Sequence, residues 1–243
     1  MKVLVLAAGY GTRLKEIAEN TPKPLLPVGD RPLINHILER IKGLPDLNEV
    51  LVVTNNKFTE DFQKWAQETD IGCPITVVND GTNSPEERLG SIGDIQFSID
   101  DKQIRDDLLV IGGDNLFDYN LDEYIIFARQ HENAVVIGLY DIGDLEEAKL
   151  YGVVGLNDAG KVVSFQEKPQ EPKSTLISMC FYYLPRNSLS LVSQYLKESG
   201  KSDKAGDYIN WLHKKSEVYG FRFTGTWYDI GSVEAYQKAQ ETF

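Results

Sequence analysis

The sequence is poor in the residues that staple or metallate small proteins. It has two cysteines, Cys73 and Cys180, both in apolar, strand-like surroundings and neither in a CxxC pair. That argues against a disulfide framework and suits free core thiols in a reducing cytosol. Its three histidines, His36, His131 and His213, are scattered through helical-looking stretches without zinc-site spacing, so packing or surface roles are expected for them. No apolar run approaches the ~18 residues of a membrane span. The first residues read as a strand, not as a leader segment, and a cytoplasmic protein is expected. Positive charge is also scarce, with 25 Lys+Arg against 37 Asp+Glu and a formal net charge of −12. Nucleic acid and anionic membranes both reward a basic face, so neither is expected as a partner. A small anionic substrate stays compatible, because a few placed cations build a local positive site. There is no internal repeat, and no hexapeptide pattern announces a trailing β-helix.

What is present is an alternation of short apolar runs and amphipathic stretches. Lys2–Ala7, Val50–Thr54, Pro74–Val78, Leu108–Ile111 and Ala134–Tyr140 read as strands. Helices are expected over Pro32–Ile41, Thr59–Glu68, Glu87–Phe97 and Leu121–Gln130, the first ended by Gly43 and Pro45. Such alternation predicts an α/β fold with a mostly parallel sheet. After Tyr140 the pattern changes. Gly152–Leu156 and Val162–Gln166 flank Asn157-Asp158-Ala159-Gly160, a hairpin signal, and Leu176–Leu184 is a further strand. Helices near 187–197 and 203–214, a strand at 217–223 and a helix at 233–240 complete the reading. One domain over 1–243 is expected, with a nucleotide-binding part at 1–140 and an antiparallel, acceptor-binding addition at 141–243.

The most informative segment follows the first strand: Leu6-Ala7-Ala8-Gly9-Tyr10-Gly11-Thr12-Arg13-Leu14. Small residues there let backbone N–H groups come close to phosphate oxygens, and open α/β sheets bind ligands at the carboxyl ends of their strands. The loop is not a P-loop, because Gly-Lys-Ser/Thr is missing. Nor is it a dinucleotide fingerprint, because Leu14 stands where the third glycine belongs. Arg13 follows the glycines, where a guanidinium clamps phosphate. Further on, Thr21-Pro22-Lys23-Pro24-Leu25-Leu26-Pro27-Val28 holds Lys23 between prolines that stiffen its backbone.

LAAGYGTRL followed by TPKPLLPVGDRPLI closely resembles the signature of the sugar-phosphate nucleotidyltransferase family, typified by glucose-1-phosphate thymidylyltransferase, and the resemblance runs along nearly the whole chain. It implies a Rossmann-like (GT-A-type) mixed, mostly parallel sheet with helices on both faces. It also implies that Ala7, Ala8, Gly9, Gly11, Thr12, Arg13 and Lys23 hold a nucleoside triphosphate, with Arg13 and Lys23 on the groups that react. Transfer of a nucleotidyl group brings several negative charges together, so a Mg²⁺ held by two distant carboxylates is expected. Asp114, in Gly112-Gly113-Asp114-Asn115, and Asp229, in Trp227-Tyr228-Asp229-Ile230-Gly231, match the family's GGDN and W-x-D-x-G motifs and are implied to be those ligands. Asp118 reads as a turn or cap residue.

On the acceptor side, Tyr151-Gly152 and Glu167-Lys168-Pro169 resemble the family's YG and EKP motifs. Gly152 would let a sugar lie close to the backbone, Glu167 accept from hydroxyls, Lys168 pair with the acceptor phosphate, and Asn115 donate to the sugar. Two places depart from the family. Ser178-Met179 replaces an Asn-Ala-Gly-like turn. The base-reading segment, usually Gln, Pro and Gly-Leu-Ala, is Asn79-Asp80-Gly81 through Leu89-Gly90-Ser91. Asp80 is a candidate for N–H donors of guanine or cytosine, or for a ribose hydroxyl, and Gly90 for a backbone contact to the base. The base stays open. So do the acceptor, which is a phosphorylated sugar or an alcohol such as phosphocholine, and a homo-oligomeric state. Two further readings stand beside the enzyme. A nucleotide-sugar-binding regulatory protein should have lost a metal ligand or Lys23. A dinucleotide-dependent oxidoreductase needs an acidic residue after the second strand, where Thr54-Asn55-Asn56 stands.

Overall fold

The computed structural model describes residues 1–11, 14, 20–200 and 204–243. Along the chain come β1 (Lys2–Leu6), a 3-10 turn (Lys23–Leu25), β2 (Pro27–Val28), β3 (Arg31–Pro32), the helix Leu33–Ile41, β4 (Glu49–Thr54), the helix Thr59–Glu68 and β5 (Ile75–Asn79). The helix Gly90–Asp101 leads to β6 (Leu108–Gly112), β7 (Asn115–Phe117), the helix Asp122–Gln130 and β8 (Val135–Asp141). After the short helix Leu145–Ala148 come β9 (Gly152–Leu156), β10 (Val162–Glu167), β11 (Leu176–Leu184) and the helices Ser190–Ser199 and Ala205–Lys215. β12 (Val218–Phe223), β13 (Trp227–Asp229) and the helix Val233–Thr242 close the order. These elements form two compact units. The first holds Met1–Leu89, Ile111–Asp122 and Gly225–Phe243; the second holds Gly90–Val110 and Glu123–Thr224.

In the first unit β4 lies parallel to both β1 and β5, with Leu4 opposite Leu51 and Val52 opposite Val77. Val3, Leu4, Val5 and Val50 to Val53 are all sealed from solvent. That is why these strands read as continuous apolar runs, not as alternation. The parallel register sets the carboxyl ends of all three strands on one edge, which is where the glycine loop and Asp80 follow. The helix Leu33–Ile41 buries Leu33, Ile34, Ile37, Leu38 and Ile41 on one stripe. Each such side chain contributes about 1.5–3 kcal/mol by leaving water. Trp65 Nε1 donates to Asn35 Oδ1 at 2.8 Å and ties the next helix to this one.

The second unit mixes directions. β8 runs antiparallel to β11 and parallel to β12, and β9 runs antiparallel to β10 and β11. Tyr124 sits under β8 and β11, fully buried; its hydroxyl donates to the Val136 carbonyl at 2.8 Å and accepts from the Tyr183 N–H at 3.0 Å. Burial drives that phenol far above its ordinary range. The Asn157–Gly160 turn closes the β9–β10 hairpin, with Gly160 at φ +76 and Asn157 N–H on the Lys161 carbonyl at 2.9 Å.

Two differences from the sequence reading have clear causes. The helix expected at Glu87–Phe97 runs from Gly90 to Asp101. Glu87 belongs to a turn instead: its N–H bonds the Ser84 carbonyl at 3.1 Å and its carboxylate accepts the Asn83 N–H at 2.9 Å. Gly90 takes φ +78, which a helix interior does not tolerate, so the helix starts there. The second difference is the β7–β13 ribbon, whose three-residue strands are too short to show a period in sequence.

Candidate active site

The glycine loop leaves β1 under close control. Ala7 N–H bonds the Val53 carbonyl at 2.8 Å, and the buried Asn55 amide donates to the Ala8 carbonyl at 2.9 Å. Ala7 and Ala8 are thereby fixed against β4. Gly9 is exposed, and a Cβ there would meet nothing within 4 Å among the described residues. Gly11 takes φ +64, a left-handed turn suited to glycine, and its carbonyl accepts the Leu14 N–H at 3.0 Å. Thr12 and Arg13 lie outside the described residues.

Lys23 opens the 3-10 turn with Pro22 at φ −65 before it and the buried Pro24 behind it. Its Nζ reaches Asp114 Oδ2 at 3.2 Å, with 20% of the lysine side chain and 37% of the aspartate exposed. Lys23, Asp114, Leu6, Ala7, Gly9 and Pro24 line one recess at the end of β1. Asp114 is brought there by Gly113, whose N–H bonds the Leu6 carbonyl at 2.9 Å. A Cβ on Gly113 would stand 2.6 Å from that carbonyl oxygen and 2.9 Å from Pro24 Cγ, so only glycine permits this approach.

Asp114 and Asp229 are 115 positions apart, yet the β7–β13 ribbon sets their backbones side by side. Asp229 pairs with Asn115, and the Ile230 N–H donates to the Asp114 carbonyl at 2.9 Å. Asn115 locks the ribbon. Its amide donates to the Gly112 carbonyl at 3.1 Å and accepts from Trp227 Nε1 at 2.8 Å, and it is 2% exposed. In this arrangement Asn115 clamps the ribbon that carries the two aspartates. Asp118 accepts the Thr226 N–H at 2.8 Å and closes the far end of the ribbon. Among the described residues no group of three or more His, Cys, Asp or Glu is arranged to hold a metal. Two carboxylates without a third suit Mg²⁺, which takes one or two carboxylates and fills its other positions with water and substrate phosphate oxygens.

Asp80 follows β5 on the same edge. It is 7% exposed, and its Oδ1 accepts the Thr82 N–H at 2.7 Å and the Thr82 hydroxyl at 2.8 Å. Among the described residues Oδ2 has no hydrogen-bond partner. Tyr10 in the glycine loop bonds Thr82 Oγ1 at 3.0 Å and so joins Asp80 to that loop.

The remaining predicted residues belong to the second unit. Gly152 starts β9 beside Glu167, the last residue of β10, in antiparallel register. A Cβ on Gly152 would stand 2.3 Å from the Phe165 ring, so the close backbone there serves packing. Glu167 is half-buried. Burial pushes its carboxyl above the ordinary value of 4.5; Lys168 opposes this, Asp207 adds to it and Lys204 opposes it. Lys168 is exposed, with its N–H on the Tyr151 carbonyl at 3.0 Å and φ at +46. A lysine held left-handed directly before a proline is an uncommon backbone state, of the kind that clusters at functional sites. Gly90 lies at the start of its helix in this unit.

A family model described as nucleotidyl transferase matches residues 2–243, and the chain belongs to that family. Among curated relatives it is 30% identical over 237 residues to the bifunctional protein GlmU of Methanocaldococcus jannaschii, covering 95% of this chain and 51% of that protein. The GlmU of Methanococcus aeolicus is 29% identical, with the same coverage. The chain thus spans about half the length of the curated relatives it matches. Among solved structures, a Bacillus anthracis protein assigned as a glucose-1-phosphate thymidylyltransferase, in complex with a sucrose, superposes with a TM-score of 0.85 at 25% identity, covering 100% of this chain and 94% of that one. A UDP-glucose pyrophosphorylase complexed with UDP-glucose gives a TM-score of 0.81 at 22% identity, over 99% and 97% of the two chains. The fold is the Rossmann-like α/β fold of these nucleotidyltransferases. Among the described residues no helix is long and apolar enough to cross a membrane.

Proposed function

We propose that this protein transfers a nucleoside monophosphate from a nucleoside triphosphate to a sugar 1-phosphate. An oxygen of the acceptor phosphate bonds to the α-phosphorus, the bond from that phosphorus to the bridging β-oxygen breaks, and pyrophosphate leaves. The observation that carries this is the β7–β13 ribbon, which sets Asp114 and Asp229 side by side with Lys23 at 3.2 Å from the first. Gly9 and Gly11 leave backbone space for the triphosphate, and Lys23 supplies a positive charge to the leaving pyrophosphate. Asp114 and Asp229 would hold Mg²⁺, which when bound offsets the charge of the converging phosphates. Glu167 accepts hydroxyls of the acceptor and Lys168 pairs with its phosphate.

The regulatory reading requires a lost metal ligand or a lost Lys23, and all three residues are present. A phosphocholine acceptor requires aromatic faces for a quaternary ammonium. Tyr182 and Tyr183 are each 3% exposed, and the Tyr183 hydroxyl is spent on Asp107 at 2.8 Å, so that pair does not offer them; the half-exposed Tyr119 ring, stacked on Phe117 at 5.0 Å, is the other candidate face. The test is a matrix of ATP, CTP, GTP, UTP and dTTP against the 1-phosphates of glucose, N-acetylglucosamine and mannose, and against phosphocholine, read by pyrophosphate release with Mg²⁺. Release that depends on a sugar 1-phosphate is expected. Release of inorganic phosphate instead, or none with any pair, would refute the proposal.

A further inference from the structure

The Glu167 carboxylate is not free to sweep through solvent. It is half-buried against the first turn of the helix Ala205–Lys215, at the one residue of that turn without a side chain. A Cβ built on Gly206 would stand 1.8 Å from Glu167 Oε2, 2.6 Å from its Cδ and 3.2 Å from Phe165 Cε1. Any side chain at 206 therefore excludes the present position of the carboxylate. To reach an ordinary contact of 3.4 Å the oxygen has to move to nearly twice its present distance, far more than a hydrogen bond tolerates.

What gives way decides the effect. The crowded atom is the far end of a flexible side chain, so an added methyl moves the carboxylate and leaves the helix where it is. Alanine is moreover the better helix former. Replacing Gly206 should thus shift one functional group with little effect on folding. We propose that Gly206 is a positioning residue, which opens a seat for Glu167 on the first turn of this helix and so sets where the carboxylate meets the hydroxyls of the acceptor. The inference rests on the reading of Glu167 as an acceptor-binding residue. Misplacing a substrate-holding group by about 1 Å can cost roughly a hundredfold in rate, so the seat is worth testing on its own.

The experiment uses the full chain and the sugar 1-phosphate with the highest kcat/KM in the matrix above. Gly206→Ala should raise the acceptor KM about tenfold or more, leave the triphosphate KM within about twofold, and move the melting temperature by less than about 2 °C. In a Glu167→Ala background the same change at 206 should add nothing further, because the displaced group is gone. In a Glu167→Asp background, one methylene shorter, its effect should be smaller than in the native protein. An equal rise in acceptor KM with and without the Glu167 carboxylate would overturn the inference, since Gly206 would then act through the fold. If Glu167→Ala raises the acceptor KM while Gly206→Ala does nothing, the positioning role alone fails. If Glu167→Ala leaves that KM unchanged, the acceptor reading fails and takes this inference with it.

Discussion

Replacing Gly9 by alanine should leave the fold intact and damage nucleotide binding. A Cβ there meets no heavy atom of the described residues within 4 Å, and Gly9 is not among the residues with positive φ, so alanine fits without strain against them. An exposed change of this kind shifts stability by at most about 0.5 kcal/mol. Gly9 is, however, one of the residues that line the recess with Leu6, Ala7, Lys23, Pro24 and Asp114. If phosphate oxygens pack against this backbone, the methyl occupies their place. Overfilling a packed contact costs about 1–3 kcal/mol, which is roughly 5- to 150-fold in affinity. Calorimetric titration of the preferred triphosphate into native and Gly9→Ala protein, with thermal melts of both, measures the two effects separately. A variant that melts normally and binds triphosphate within twofold of the native protein would show that Gly9 is only part of a turn.

Gly113→Ala should behave in the opposite way: its Cβ would collide with backbone at 2.6 Å, and losing the Gly113 to Leu6 bond on top of the overpacking should cost about 2–4 kcal/mol, seen as a melting temperature lower by roughly 5–15 °C. Asp114→Asn and Asp229→Asn should each lower turnover by about a hundredfold or more with melting little changed, and near-normal turnover in either would mark that carboxylate as structural. Glu167 gives a pH signature. Its carboxyl is raised above 4.5 in the folded state, so its contribution to stability is full below 4.5 and is lost as pH rises through the raised value. Glu167→Gln removes that loss, so the melting temperature of the variant minus that of the native protein should grow with pH just above 4.5 and stay flat below it; a difference flat throughout would contradict the burial of the carboxyl.

The parts that could be read from sequence are those whose signal is local. Lys2–Leu6 and Glu49–Thr54 announce themselves because strands buried on both faces need unbroken apolar runs, and the helix Leu33–Ile41 because its buried stripe repeats every three to four residues. The aspartates were legible through motif resemblance, but the reason they meet was not: a ribbon of two three-residue strands carries no period, and its pairing is long-range. Asn115 shows the same limit. Its place beside Asp114 carries no sign of the Trp227 indole that donates to its amide oxygen from 112 positions away. Gly206 was invisible because Lys204-Ala205-Gly206-Asp207 reads as an ordinary helix start, and the crowding at Glu167 arises between segments 39 residues apart.

The first unit is assembled from three separate stretches of chain, and the last begins at Gly225. On the ribosome this imposes an order of events. β7 emerges early, but its ribbon partner follows only after an intervening span, with Asn115 and the Trp227 that clamps it 112 positions apart. At about 5–20 residues per second, synthesis of that span takes on the order of ten seconds. For that time Lys23 and Asp114 can exist without Asp229, and the edge of β7 has no strand to pair with. The second unit can be fully synthesised, and its hairpin formed, before the first is closed. On the proposed reading, the pair of carboxylates is complete only once β13 has been made and has paired with β7.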